Sequence, residues 1–256
     1  MRAHASILTV MLTAAALSGS LAIASDASID TTFGTAGWQR IFVAGGGSTD
    51  EHIVASARTP DGGYLLAGWR PGGAAGVSIF LAKFRPNGSY DSAFGTAATG
   101  NAGTGRVLKD AYLSSVADMT VDTQGRIVVV GSTPGALGQS DFGVVRFKPD
   151  GTDDTSFAGD GGTGIAFDAD AAHSRVSDVP FSVTTLPDGS IFVAGRIDER
   201  KNTTTTTEVV GVAKLKPDGS PDNSFGMGNG RYLYCQAACS DVISVARIVY
   251  DAPRNR

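Results

Sequence analysis

Charge of one sign is what this chain has least of. Its 21 Lys and Arg stand against 25 Asp and Glu, a net charge of −4, with neither sign gathered into a stripe. That balance excludes the electrostatic footprint of a nucleic-acid or anionic-lipid binder. Long hydrophobic runs are missing beyond residues 7–17, so no later segment reaches the ~20 apolar residues needed to cross a bilayer. Helical apolar periodicity is missing too, which excludes a helix bundle. Histidine is scarce, at three residues, and neither His52 nor His173 accompanies a Gly-x-Ser-x-Gly elbow, which does not occur. Glu51-His52 lacks the second His of a zinc-protease helix, and Gly45-Gly46-Gly47 and Gly72-Gly73 lack the helix and Lys of a phosphate loop.

Cysteine is limited to Cys235 and Cys239. With three residues between them they miss the spacing of a redox pair, and with no His or second pair nearby they are a weak zinc signal. In an exported protein their default is a disulfide closing a very small loop, with modest entropic stabilisation. Export is the expectation from the first residues: Arg2, the apolar run Ile7 to Leu17 and the small-x-small site Ala22-Ile23-Ala24 read as a secretory signal peptide over 1–24. Residues 25–256 are then one domain, secreted, periplasmic or at the cell surface, with no membrane span once the signal is removed.

What the sequence has in abundance is glycine, 34 residues, together with Val, Ile, Leu and Phe, a mixture that argues for many turns. It also repeats itself. Lys148-Pro149-Asp150-Gly151-Thr152-Asp153-Asp154-Thr155-Ser156-Phe157 has counterparts that begin at Arg85 and at Lys216, and a shortened copy runs from Ser28 to Gly34. These repeat marks occupy 28–34, 85–95, 148–158 and 216–226, and their Phe33, Phe94, Phe157 and Phe225 follow one another at intervals of 61, 63 and 68 residues. A fixed period of this kind signals a repeat architecture. Within each mark, Asp30, Asp91, Asp154 or Asp222 precedes the Phe by three residues, placed to cap one short turn by accepting a backbone N–H. The Phe is then held at a fixed offset to plug a seam between neighbouring repeats.

Each period carries the same strands. Ile53 to Arg58, the turn Pro60-Asp61-Gly62 and Tyr64 to Gly68 form a hairpin. Its equivalents are Val116 to Val121 with Ile127 to Gly131, across a degenerate Thr123-Gln124-Gly125, and Phe181 to Leu186 with Ile191 to Gly195, across Pro187-Asp188-Gly189. The second strand is continuously apolar, as suits burial on both faces. Third strands end at Phe84, Phe147 and Leu215, and short fourth strands are expected at Trp38 to Val43, Arg106 to Leu108, Ile165 to Phe167 and Arg231 to Tyr234. Four strands per period of about 60 residues is the signature of propeller blades. The expected fold is therefore all-β, a β-propeller-like array of four-stranded antiparallel blades. About 14 strands, ending at Ile243 to Tyr250, amount to about three and a half repeats, an incomplete or a four-bladed propeller. Unpaired blade edges invite self-association, although two copies cannot make a seven-bladed ring, because a two-fold axis requires an even number.

The hairpin turn, the apolar-Val-Ala-Gly strand and the motif Lys/Arg-Phe-x-Pro-Asp-Gly-Ser-x-Asp-x-Ser-Phe-Gly together resemble the delta-60 repeat family. Thr123-Gln124-Gly125 and Ala158, which replaces Gly, depart from its pattern. The resemblance implies an exported or surface bacterial propeller; it brings no catalytic residues.

The acids Asp150, Asp153, Asp154 and Asp160 invite a calcium reading, but their spacing misses the calcium loop and two belong to the repeated turn and cap. Asp168, Asp170 and His173 form a second cluster in a loop of small residues, read as an exposed acidic loop. The functional expectation is a non-catalytic exported or cell-surface module, without a cofactor, that binds a protein or surface polymer through loops Trp69–Val77, Ser132–Asp141 and Ile197–Glu208. The alternative is a metal-dependent hydrolase or lactonase of propeller type.

Overall fold

The computed structural model describes residues 28–41, 50–72, 76–95, 104–110, 112–135, 139–167, 177–200, 206–226, 228–234 and 247–250. Among them are twelve strands and no helix. The first blade is β1 (His52–Arg58), β2 (Tyr64–Pro71), β3 (Val77–Phe84) and β4 (Arg106–Asp110). The second is β5 (Asp118–Val121), β6 (Ile127–Pro134), β7 (Ser140–Phe147) and β8 (Gly162–Ile165), and the third is β9 (Asp178–Thr185), β10 (Ile191–Arg200), β11 (Thr206–Leu215) and β12 (Arg231–Tyr234). Every set of four is a separate antiparallel sheet whose strands lie in chain order. The fold is all-β, a propeller-like array of blades.

Turn chemistry sets the hairpins. Gly62 donates to the Thr59 carbonyl at 2.9 Å and Gly189 to that of Leu186 at 2.9 Å, each with positive φ. The degenerate turn closes identically, Gly125 donating to Asp122 at 3.0 Å. Here the Asp122 carboxylate accepts the amides of Gln124 and Arg126, both at 2.9 Å, and so supplies the rigidity that proline gives elsewhere. The glycine ending each Val-Ala-Gly-type strand has a different reason. A Cβ on Gly68, Gly131 or Gly195 would lie 2.0, 1.8 or 2.2 Å from a carbonyl oxygen of the preceding strand or its approach. Only glycine permits that approach.

Some strand boundaries differ from expectation. The fourth strand of the second blade is Gly162–Ile165, because Gly162 and Thr163 pair with Val145 and Val144 while Phe167 leaves the sheet to pack on the Phe142 ring at 5.0 Å. Residues 38–41 are not a strand. Trp38 instead bridges back to Gly34 and Thr35. The described residues 247–250 are likewise outside any strand, and Val43 and Ile243 lie outside the described residues. The described residues thus hold twelve strands in three complete blades.

Burial shows how the blades stack. Leu65, Ala67, Ile79 and Leu81 of the first blade meet Ile127, Val129, Val145 and Phe147 of the second around Phe94. Val128, Val130, Phe142 and Val144, on the opposite face of the second blade, meet Ile191, Val193, Ala213 and Leu215 of the third around Phe157. β6 and β7 are consequently buried on both faces along most of their length, whereas β11 alternates between buried and half-exposed from Val209 onward. Phe94 and Phe157 are buried, but Phe225, with no described blade beyond it, is half-buried. Phe94→Ala is expected to lower stability by about 3–5 kcal/mol, and Phe225→Ala by distinctly less, in urea unfolding of the two variants; equal losses would contradict this packing.

Candidate functional site

The chemistry-bearing side chains concentrate in the repeat marks. Asp91 accepts the Ala93 amide at 3.1 Å, and its own carbonyl accepts the Phe94 amide at 2.9 Å. Asp30, Asp154 and Asp222 make the same pair of contacts, their carboxylates taking the amides of Thr32, Ser156 and Ser224 at 2.9, 3.2 and 3.1 Å. The mark is thus a single tight turn that fixes where its Phe points. A contact not anticipated from the sequence completes it. The third strand carries a cation eight residues before each Asp: Lys83 lies 3.0 Å from Asp91, Arg146 2.7 Å from Asp154 and Lys214 2.7 Å from Asp222. The same three residues receive the Asp amide on their carbonyls at 2.9, 3.0 and 2.9 Å. The Lys/Arg of the repeated motif was the available signal, hidden because β-strand cations usually face solvent.

Successive marks are joined to one another. Gly34 donates to the Asn87 carbonyl at 2.8 Å, Gly95 to Asp150 at 3.0 Å and Ala158 to Asp218 at 2.8 Å. Ala158 does this at φ 53°, adopting the conformation for which its counterparts use glycine. Above each bond, the turn glycine of one mark lies on the Phe of the mark before. A Cβ on Gly88, Gly151 or Gly219 would approach the rings of Phe33, Phe94 or Phe157 to 3.1, 2.9 or 2.8 Å.

Electrostatics follow the same pattern. The hydrogen bond from Lys83 holds Asp61 down to about 2, and that from Lys214, with Ser224, does the same for Asp222. Burial pushes the Asp91 and Asp154 carboxyls upward, but Lys83 in one case, Ser156 and Arg146 in the other, leave both below the ordinary range. Arg146 is the most enclosed of the cations, 2% exposed. Burial lowers its pKa, with Arg126 acting in the same direction. It lies 4.5 Å from the centre of the Phe157 ring and donates to the Pro217 carbonyl of the next mark at 2.5 Å.

The four acids of the calcium reading are dispersed among separate contacts. Asp150 accepts the amide and hydroxyl of Thr152, Asp153 pairs with Lys109, Asp154 with Arg146, and Asp160 accepts from the Tyr112 hydroxyl. Tyr112 is accordingly raised to about 12 by that hydrogen bond. Among the described residues no three His, Cys, Asp or Glu are grouped to hold a metal. His52 stacks on Trp69 at 4.0 Å. Cys235, Cys239, Asp168, Asp170 and His173, with the centres of the three variable loops, lie outside the described residues.

Open surface able to receive a ligand is found where the first strands converge. β1 adjoins β5 and β5 adjoins β9. Asp118 ties β5 to β9 by accepting the Ser182 hydroxyl at 2.9 Å and the Val183 amide at 3.0 Å, and the Ser182 hydroxyl accepts the Ile248 amide at 3.1 Å. Between these segments is a cleft of about 440 Å³ whose polar lining includes Thr120, Thr123, Thr184, Thr185 and Arg247. Hydroxyls and one guanidinium can hydrogen-bond a polar ligand, and the carboxylate in the lining, Asp118, is engaged by Ser182 and Val183. Among the described residues no helix is long and apolar enough to cross a membrane.

Residues 125–157 and 186–225 match a β-propeller domain family of unknown function (DUF5122). Both matched segments start at a hairpin turn and end at the Phe of a mark, so the family unit coincides with the two central strands and the ion-paired turn. No curated protein matches the chain.

Two outcomes are expected. Removing Arg146 leaves Asp154 buried without its partner, so Arg146→Ala should cost about 3–5 kcal/mol in chemical denaturation, with strong non-additivity in the cycle with Asp154→Ala; Lys214→Ala, at the more exposed pair, should cost less. For pH, Asp61 and Asp222 titrate at about 2 in the fold against an ordinary 3.8. The unfolded chain therefore takes up protons first as pH falls. The stability these groups contribute is fully present above about pH 4 and is lost between about pH 4 and 2. Urea midpoints measured from pH 6 to 2 should be flat and then fall, and Asp222→Asn should reduce the fall.

Proposed function

We propose that the chain is a non-catalytic binding module of the delta-60 type, exported or displayed at the cell surface, that recognises a protein or a surface polymer. The observation that carries this reading is the use made of the acids: Asp61, Asp91, Asp122, Asp154 and Asp222 are each committed to a cation or to turn amides inside a blade. The surface around the first-strand cleft instead offers hydroxyls, Arg247 and Tyr250, its carboxylate Asp118 being committed to Ser182 and Val183. Polar contacts of that kind suit recognition of a hydroxylated or amide-bearing chain. The delta-60 assignment rests on the four marks and their period, and export on residues 1–24. In the same reading, residues 25–256 are the mature domain, Cys235 and Cys239 form a disulfide, and no cofactor is required.

Co-sedimentation of the purified chain with insoluble bacterial cell-wall polymer tests the idea. Binding is expected, and Thr184→Glu should weaken it without moving the melting temperature. Hydrolysis of a phenyl ester or a lactone at an enzymatic rate, abolished by EDTA, would replace this reading with the metal-dependent hydrolase.

A further inference from the structure

The two seams between blades are built alike, and each has two distinct halves. One half is a sheet face bearing the Phe of its own mark; the other is the opposite face of the next blade, whose mark supplies the glycine beneath that ring. Among the described residues both halves recur, joined to no further blade, at the two ends of the array. The third blade presents the first kind of half: Phe192, Val210, Val212 and Phe225 are half-buried, and Tyr232 and Tyr234 on the same face are each 47% exposed. Register places Val212 opposite Tyr232 and Val210 opposite Tyr234, so these residues share one face of the sheet. The first blade presents the second kind of half in Tyr64, Leu66, Ala82 and Phe84. It is covered by the strap 28–41, through Phe33 and Ile41, and Phe33 occupies the place over Gly88 that a preceding blade's Phe would fill.

We infer that the open face of the third blade is closed by the first blade of a second copy, with Phe225 and Gly226 displacing Phe33 and Gly34 from the Asn87-Gly88 turn. The exchange is nearly neutral in chemistry, because both marks read Asp-x-x-Phe-Gly and present the same turn. The strap is also weakly held: apart from Phe33, Gly37, Gln39 and Ile41, its residues are exposed. The three described blades are fewer than the four to eight that close a propeller. Two copies joined head to tail bring six, an even number that a two-fold axis along the channel allows. This pairing is independent of what the cleft binds.

The experiment is light scattering of the full chain over a wide concentration range, with two variants whose effects oppose one another. The wild-type chain should approach twice its monomer mass as concentration rises. Tyr234→Glu, a change at an exposed position that the fold tolerates, should weaken association about tenfold or more, because it sets an unpaired charge on the docking face. Phe33→Ala loosens the strap and should strengthen association. A monomer at every concentration would overturn the inference, meaning that the chain covers this face itself; so would weakening by Phe33→Ala, which would make the strap part of the interface and not its competitor.

Discussion

The contact on which this molecule depends is the seating of a phenylalanine ring on the glycine of the following turn. It occurs three times among the described residues, and each time a backbone hydrogen bond runs beside it between the same two marks. The ring needs a flat, uncluttered surface. Only glycine gives one, and only glycine accepts the positive φ of that turn at no steric cost. Everything else in the mark serves this seat. The aspartate orders the turn, the third-strand cation holds the aspartate, and the strand pairing places the cation. The apolar faces of successive blades are thereby brought together in one register, where area burial provides most of the stabilisation.

Much of this was legible in the sequence, since period, turn residues and apolar runs are local signals. The four-stranded blade, the hairpin turns and most strand positions follow from them. What the sequence concealed was pairwise and distant. Only their return at the same place in each repeat marks Lys83, Arg146 and Lys214 as partners of carboxylates eight residues later, because a cation at a strand end is usually solvated. Asp122 was passed over because it stands one residue before the turn it braces. Strand status also depends on neighbours: Trp38 to Ile41 resembles the fourth strands in composition, yet Trp38 pairs back onto Gly34 and Thr35. The first-strand cleft was illegible for the same reason, being assembled from three segments that no motif connects.

The acids show how a functional reading can mistake structure for chemistry. Asp150, Asp153, Asp154 and Asp160 crowd a short stretch of sequence, as a cation site would, and fold into four different contacts. Repetition is the better guide. A carboxylate that returns at every period belongs to the scaffold, whereas a binding surface is built where repeats differ, as they do in the loops and around residues 247–250.

The guanidinium of Arg146 has one further consequence, for cooperativity. By donating to the Pro217 carbonyl it ties the second blade to the third through a charge-assisted hydrogen bond from a guanidinium so enclosed that salt barely screens it. The first seam is crossed by an ion pair, Lys109 with Asp153, but the Asp153 side chain is 43% exposed, and such a pair contributes little and fades as salt rises. In an array whose repeats couple only to their neighbours, unequal couplings divide the unfolding transition. The side-chain polar coupling of the third blade to the second is therefore the one that salt leaves in place, whereas the first seam rests on its apolar cluster and its backbone hydrogen bond as salt rises.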